Sequence, residues 1–124
     1  DEQDNKGITA LMYAVDKNLD ISIVKLLIDA KADVNKQDNN GKTPLMYAVE
    51  EGNMAIVKLL IDNDADVDKK NNDGNTALHY VKKIIIRKYN SDNEYDNEST
   101  LKVTEKTKEE ITELLENPLR FNIG

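Results

Sequence analysis

The chain has 124 residues, 39% of them hydrophobic, with one Phe and no Trp, which is enough for one domain but lean for a single central core. Its formal charge of -7 argues against a nucleic-acid surface, which needs clustered Lys and Arg, and favours a protein partner with a neutral or basic surface. There is no Cys, so disulfide and thiol chemistry are excluded, and no signal peptide or bilayer-spanning apolar stretch is read, so no membrane role is expected.

Three glycines, Gly7, Gly41 and Gly74, stand 34 and 33 residues apart, and each is followed by one phrase. It reads Thr9-Ala-Leu-Met-Tyr-Ala14, then Thr43-Pro-Leu-Met-Tyr-Ala48, then Thr76-Ala-Leu-His-Tyr-Val81. A fixed period sets the architecture before any single motif does. In the first unit, 4–37, Thr9 caps a short helix and Asn18 reverses the chain. Asp20 then caps a second helix that turns Ile23, Val24, Leu27 and Ile28 inward. The second unit, 38–70, repeats this with Thr43 as cap and Pro44 at the first helical position, where a missing N–H costs nothing. Leu45, Ala48 and Val49 make its first apolar stripe, Gly52 its reversal and Asn53 its second cap. Ile56, Val57, Leu60 and Ile61 form its second packed face.

The third unit, 71–117, starts faithfully, with Thr76 as the cap of its first helix, and then departs. Its first helix is expected to run on through residues 84–86 and Tyr89, and a polar inserted loop to fill about 90–105. Thr107 and Glu110 form a capping box for a last helix with Ile111, Leu114 and Leu115 inward and Lys108, Glu109, Thr112, Glu113 and Glu116 outward. In the tail, 118–124, Leu119, Phe121 and Ile123 alternate, and their placement stays open.

The Thr-Pro-Leu-His-like phrase at a period near 33 resembles the ankyrin repeat. Val24-Lys-Leu-Leu-Ile-Asp29 returning as Val57-Lys-Leu-Leu-Ile-Asp62, and Ala32-Asp-Val-Asn35 as Ala65-Asp-Val-Asp68, extend the resemblance over most of the chain. It implies an all-α solenoid: a stack of three helix-turn-helix repeats with outstretched β-hairpin or loop fingers, burying one apolar seam between neighbours. The family usually has Gly just before Ala-Asp-Val, at positive φ. Lys31 and Asp64 stand there, so Lys31→Gly is expected to raise the thermal midpoint. His79 falls on the family's His, whose part is hydrogen bonding between repeats, and Met12 and Met46 replace it in the first two. Asn35 falls where some family members are hydroxylated.

No catalytic partner can be placed beside His79, and no phosphate cradle, metal-ligand spacing or nucleophile elbow is present, so neither an enzyme nor a cofactor is expected. The acidic runs from Asp92 and Asp64 fail the calcium-loop pattern, which needs Gly at its sixth place and Glu at its twelfth, where they have Asn97 and Val103, or Lys69 and Asn75.

In ankyrin-type arrays the fingers and first helices line a concave face that binds proteins. Carried over by position, the candidates are Asn5, Lys6, Ile8, Asp16 and Lys17, then Asn39, Asn40, Lys42, Glu50 and Glu51, then Asn72, Asp73 and Asn75, with Lys83 at the run-on helix. The first unit's second helix is as apolar as its internal counterpart, so further repeats before it, or another molecule against it, are expected. A structural spacer within a longer array is the alternative to a recognition module.

Overall fold

A computed structural model describes residues 2–81 and 108–117. The run-on helix with Lys83, the inserted loop, the Thr107 cap and the tail lie outside the described residues.

Four α-helices, a 3₁₀ turn and a last helix make up the described fold. They are α1 (Ala10–Asp16), α2 (Ile21–Asp29), α3 (Pro44–Glu51), α4 (Met54–Asp62), the 3₁₀ turn Ala77–Tyr80 and α5, residues 108–116. The first helices stand in file, α1 on α3 and α3 on the 3₁₀ turn, while α2 packs on α4 behind them. One continuous cluster runs through the stack, from Leu11, Val15 and Val24 through Leu45, Met46, Ile56 and Leu60 to Ile111, Leu114 and Leu115 of α5. No element encloses a core alone; each helix is too short to be stable without its neighbours.

The helix starts follow from local chemistry. The Thr9 and Thr43 hydroxyls accept the N–H of Met12 at 3.2 Å and of Met46 at 3.3 Å. Each methionine answers with its sulfur, which accepts the threonine N–H at 3.5 and 3.4 Å. The fully buried Met therefore closes a reciprocal box usually closed by Glu or Gln, as well as filling the space expected for a His. Asp20 and Asn53 cap α2 and α4, accepting from Ser22 N–H and Ile56 N–H. Thr76 does not cap with its side chain. The helix it precedes opens as 3₁₀, and the N–H three residues on, of His79, already donates to the Thr76 carbonyl at 3.1 Å, so that donor is not left for the hydroxyl.

The helix ends share one device. Asn18, Lys31, Gly52 and Asp64 all adopt the left-handed conformation, at φ 53, 72, 68 and 70. At each, paired bonds close the last turn; Lys31 N–H donates to Ile28 O at 2.9 Å and Ala32 N–H to Leu27 O at 3.0 Å. Three of the four positions lack glycine. Lys31 is exposed, so Lys31→Gly is expected to add about 1 kcal/mol of stability, with a rise in the circular-dichroism melting midpoint. A fall would mean that the lysine side chain contributes more than the conformation costs.

The expectation that Ile23 faces inward is also corrected. Ile23 is 41% exposed, whereas its counterpart Ile56 is fully buried. The difference is that α4 has α2 against it and α2 has nothing described on its outer side; Leu26 beside it is 67% exposed. Of the two finger forms expected, the loop form is the one present: the fingers are turns, and no strand occurs among the described residues. Within each finger the arms share backbone bonds such as Asp38 N–H to Lys42 O, and each finger is also bonded to the next, as Asn39 N–H to Lys6 O.

Candidate partner-binding face

Each finger tip is built by one side chain. Asp38 Oδ1 accepts the N–H of Asn40 at 2.8 Å and of Lys42 at 2.9 Å, and Asp4 and Asn71 do the same for their own tips. Gly41, at φ +80, completes the turn and lets the next finger approach. A Cβ there would lie 2.6 Å from Asn72 Oδ1 and 2.7 Å from its backbone nitrogen.

That close approach zips the fingers together. Asn72 donates its backbone N–H to Asn40 O at 2.9 Å and its amide to Asn39 O at 2.8 Å. Asn39 does likewise to Lys6 O and Asn5 O, both at 2.9 Å. Gln37 bridges Gly41 O and Lys70 O, and Gln3 bridges Gly7 O and Gln37 O. Asn35 joins the next unit through both ends of its amide, accepting from Asp66 N–H at 2.7 Å and donating to Asp64 O at 3.1 Å.

Behind the fingers stand three tyrosines, one per repeat phrase: Tyr13, Tyr47 and Tyr80. The Tyr47 hydroxyl donates to Asp38 Oδ2 at 2.5 Å, and Asn71 Nδ2 donates to the Tyr80 hydroxyl at 2.7 Å. Burial and the bond to Asp38 push the Tyr47 phenol above its ordinary range, and the carboxylates of Asp16 and Glu50 add to this. Tyr13 is 55% exposed.

The Asp38 and Asn71 tips are the same geometry with the donor reversed. Asp38 is buried, so Asp38→Ala would strand two N–H groups and a hydroxyl and is expected to cost about 2–4 kcal/mol in urea unfolding. Asp38→Asn, which reproduces the third tip, is expected to stay within about 1 kcal/mol of the parent. Equal losses for the two would show that the carboxylate charge, not the bond pattern, holds the tip.

The positions expected to face a partner divide. Asn5, Lys6, Ile8, Asp16 and Lys17 come together with Tyr13 and Tyr47 around a groove of about 410 Å³. Lys42 and Glu50 instead engage each other at 3.1 Å, with the Lys42 ammonium 4.1 Å from the Tyr47 ring centre and 5.0 Å from that of Tyr80. Asn39 and Asn72 spend their amides on the zip, Asn40 and Asp73 are exposed at the tips, and Glu51 and Asn75 are half-buried. The tyrosines were not among the expected positions. Their signal was their recurrence at 34 and 33 residues, but an aromatic in an apolar phrase reads first as core.

His79 is exposed and meets Tyr80 edge to face at 5.7 Å, with no bond to a neighbouring repeat among the described residues. The 3₁₀ start sets it on the surface where Met12 and Met46 are buried. Among the described residues there is no cluster of metal ligands, and no helix is long and apolar enough to cross a membrane.

Compared with known families, residues 11–83 match the model for ankyrin repeats, three copies. No curated protein matches the sequence.

Proposed function

The chain belongs to the ankyrin-repeat family, whose members generally bind other proteins and are typically non-catalytic, and on that premise we propose that it is a non-catalytic recognition module. It holds a protein partner against the face made by its fingers and first helices. Within this reading the chain is one domain of three repeats, 4–37, 38–70 and 71–117, the last with its insertion, followed by the tail. The supporting observation is the groove beside Tyr13, where an exposed aromatic ring stands among charged side chains on a stack already ordered by its finger bonds. Aromatic anchors dominate binding energy at interfaces, and a preordered surface loses little entropy on docking. The charge of -7 suits a partner that is basic or neutral, and not a nucleic acid.

The test is selection of binders from a random-peptide display library, followed by amide-shift mapping. Binders should map to the fingers and first helices and lose at least tenfold in affinity with Tyr13→Ala. Mapping to the α2 and α4 side would sink the proposal.

One observation favours a second reading, a spacer within a longer array: α2 presents Ile23 and Leu26 uncovered on a face that the next repeat keeps covered. Further repeats would cover it. Under that reading, adding a repeat before residue 4 should stabilise the stack, and selected binders should show no preference for the groove.

A further inference from the structure

The space between Tyr47 and Tyr80 is occupied by the chain's own lysine. The Lys42 ammonium lies within cation-π distance of both rings, at 4.1 and 5.0 Å, and the Glu50 carboxylate fixes it at 3.1 Å. One repeat earlier the walls and the anion recur. Tyr13 stands 34 residues before Tyr47, and Asp16 stands 34 residues before Glu50. The cation does not recur, because Ile8 holds the place of Lys42. What stands there is the groove of about 410 Å³, with Tyr13 exposed at its edge. Lys17 approaches Tyr13 only to 5.9 Å, at the outer limit of such a contact, and its own counterpart in the next repeat is Glu51.

We propose that this groove receives a lysine side chain from the protein partner, its ammonium between Tyr13 and Tyr47 and paired with Asp16, as Lys42 sits one repeat further on. The proposal rests on the recognition-module reading and specifies what that face recognises. Two ring faces supply the negative quadrupole, Asp16 the charge, and Ile8 an apolar flank for the lysine stem. Asp16 and Tyr47 line the same groove, which brings the carboxylate to the ring that would form one wall. The groove lining carries Asp4 and Asp16 beside Lys6 and Lys17, and of its carboxylates Asp16 is the one at the position of Glu50.

The test is titration of the protein with a capped pentapeptide, Gly-Gly-Lys-Gly-Gly, followed on the tyrosine ring signals by NMR. Matched peptides carry acetyl-lysine, arginine or leucine at the centre. The lysine peptide should shift the Tyr13 and Tyr47 rings saturably, with a Kd on the order of 10 mM for so small a probe, and Asp16→Asn should weaken it roughly tenfold. Ile8→Lys should abolish the response, since the protein then fills the groove itself, while Lys42→Ile should create a second response at Tyr47 and Tyr80. Amide spectra of each variant establish that it is folded. Equal shifts from acetyl-lysine, arginine or leucine would overturn the assignment to lysine, as would a response that survives Ile8→Lys, or no response at all. Display-selected binders that map to the groove but carry no required lysine would overturn it too, leaving the recognition-module reading in place; binders that avoid the face would remove both.

Discussion

Replacing Gly41 by alanine is expected to cost about 3 kcal/mol of stability, and the same change at Gly74 only about 1 kcal/mol. Both glycines sit at nearly the same positive φ, +80 and +82, so the conformational penalty of a side chain is common to the pair. Their surroundings separate them. A Cβ at Gly41 meets the backbone nitrogen of Asn72 at 2.7 Å, and backbone cannot swing aside as the end of a side chain can. Relief requires the third finger to back away, losing the bonds of Asn72 to Asn39 and Asn40. At Gly74 no described residue lies within 4 Å of the added carbon. The difference between the two variants in urea unfolding therefore isolates the value of close finger approach, and equal losses would mean that the zip contributes little.

Ile56→Ala is expected to cost about 3–4 kcal/mol, against less than about 1 kcal/mol for Ile23→Ala. The two residues occupy the same place in helices that share Ile-Val-Lys-Leu-Leu-Ile-Asp. Ile56 is fully buried between α2 and the rest of the stack, so truncation leaves a cavity in addition to the lost transfer energy. Ile23 is already 41% in water and can lose its outer carbons without leaving a void. Melting curves of the two variants decide it. A large loss at Ile23 would show that this face is covered in solution, by a second molecule or by chain outside the described residues.

This pair also marks how far sequence reasoning reaches. Caps and reversals are local chemistry, so Thr9, Thr43, Asp20 and Asn53 were legible as helix starts, and Lys31 and Asp64 as residues held at positive φ. Burial of a helix face depends on what stands beside it, and seven identical residues cannot carry that information. Thr76 misled because its phrase matches the others while the turn it opens is wound as 3₁₀. Lys42 and Glu50 were read as separate positions, and their pairing was not read. They are eight residues apart, joining a finger to the end of a helix, and no helical spacing rule connects them. Tyr13, Tyr47 and Tyr80 were visible as recurring letters; that the first is exposed and the second meets both Lys42 and the groove depends on the stacking.

The zipped fingers have a consequence for how separation of neighbours can be observed. Asn39 and Asn72 are exposed residues, and ordinarily their amides would trade protons freely with solvent. Both are instead tied to a carbonyl one finger back, at 2.9 Å. Deuterium uptake at Asn39 thus clocks the parting of the first unit from the second, and uptake at Asn72 the parting of the second from the third, so two backbone sites report separately whether the stack opens as one body or frays from an end.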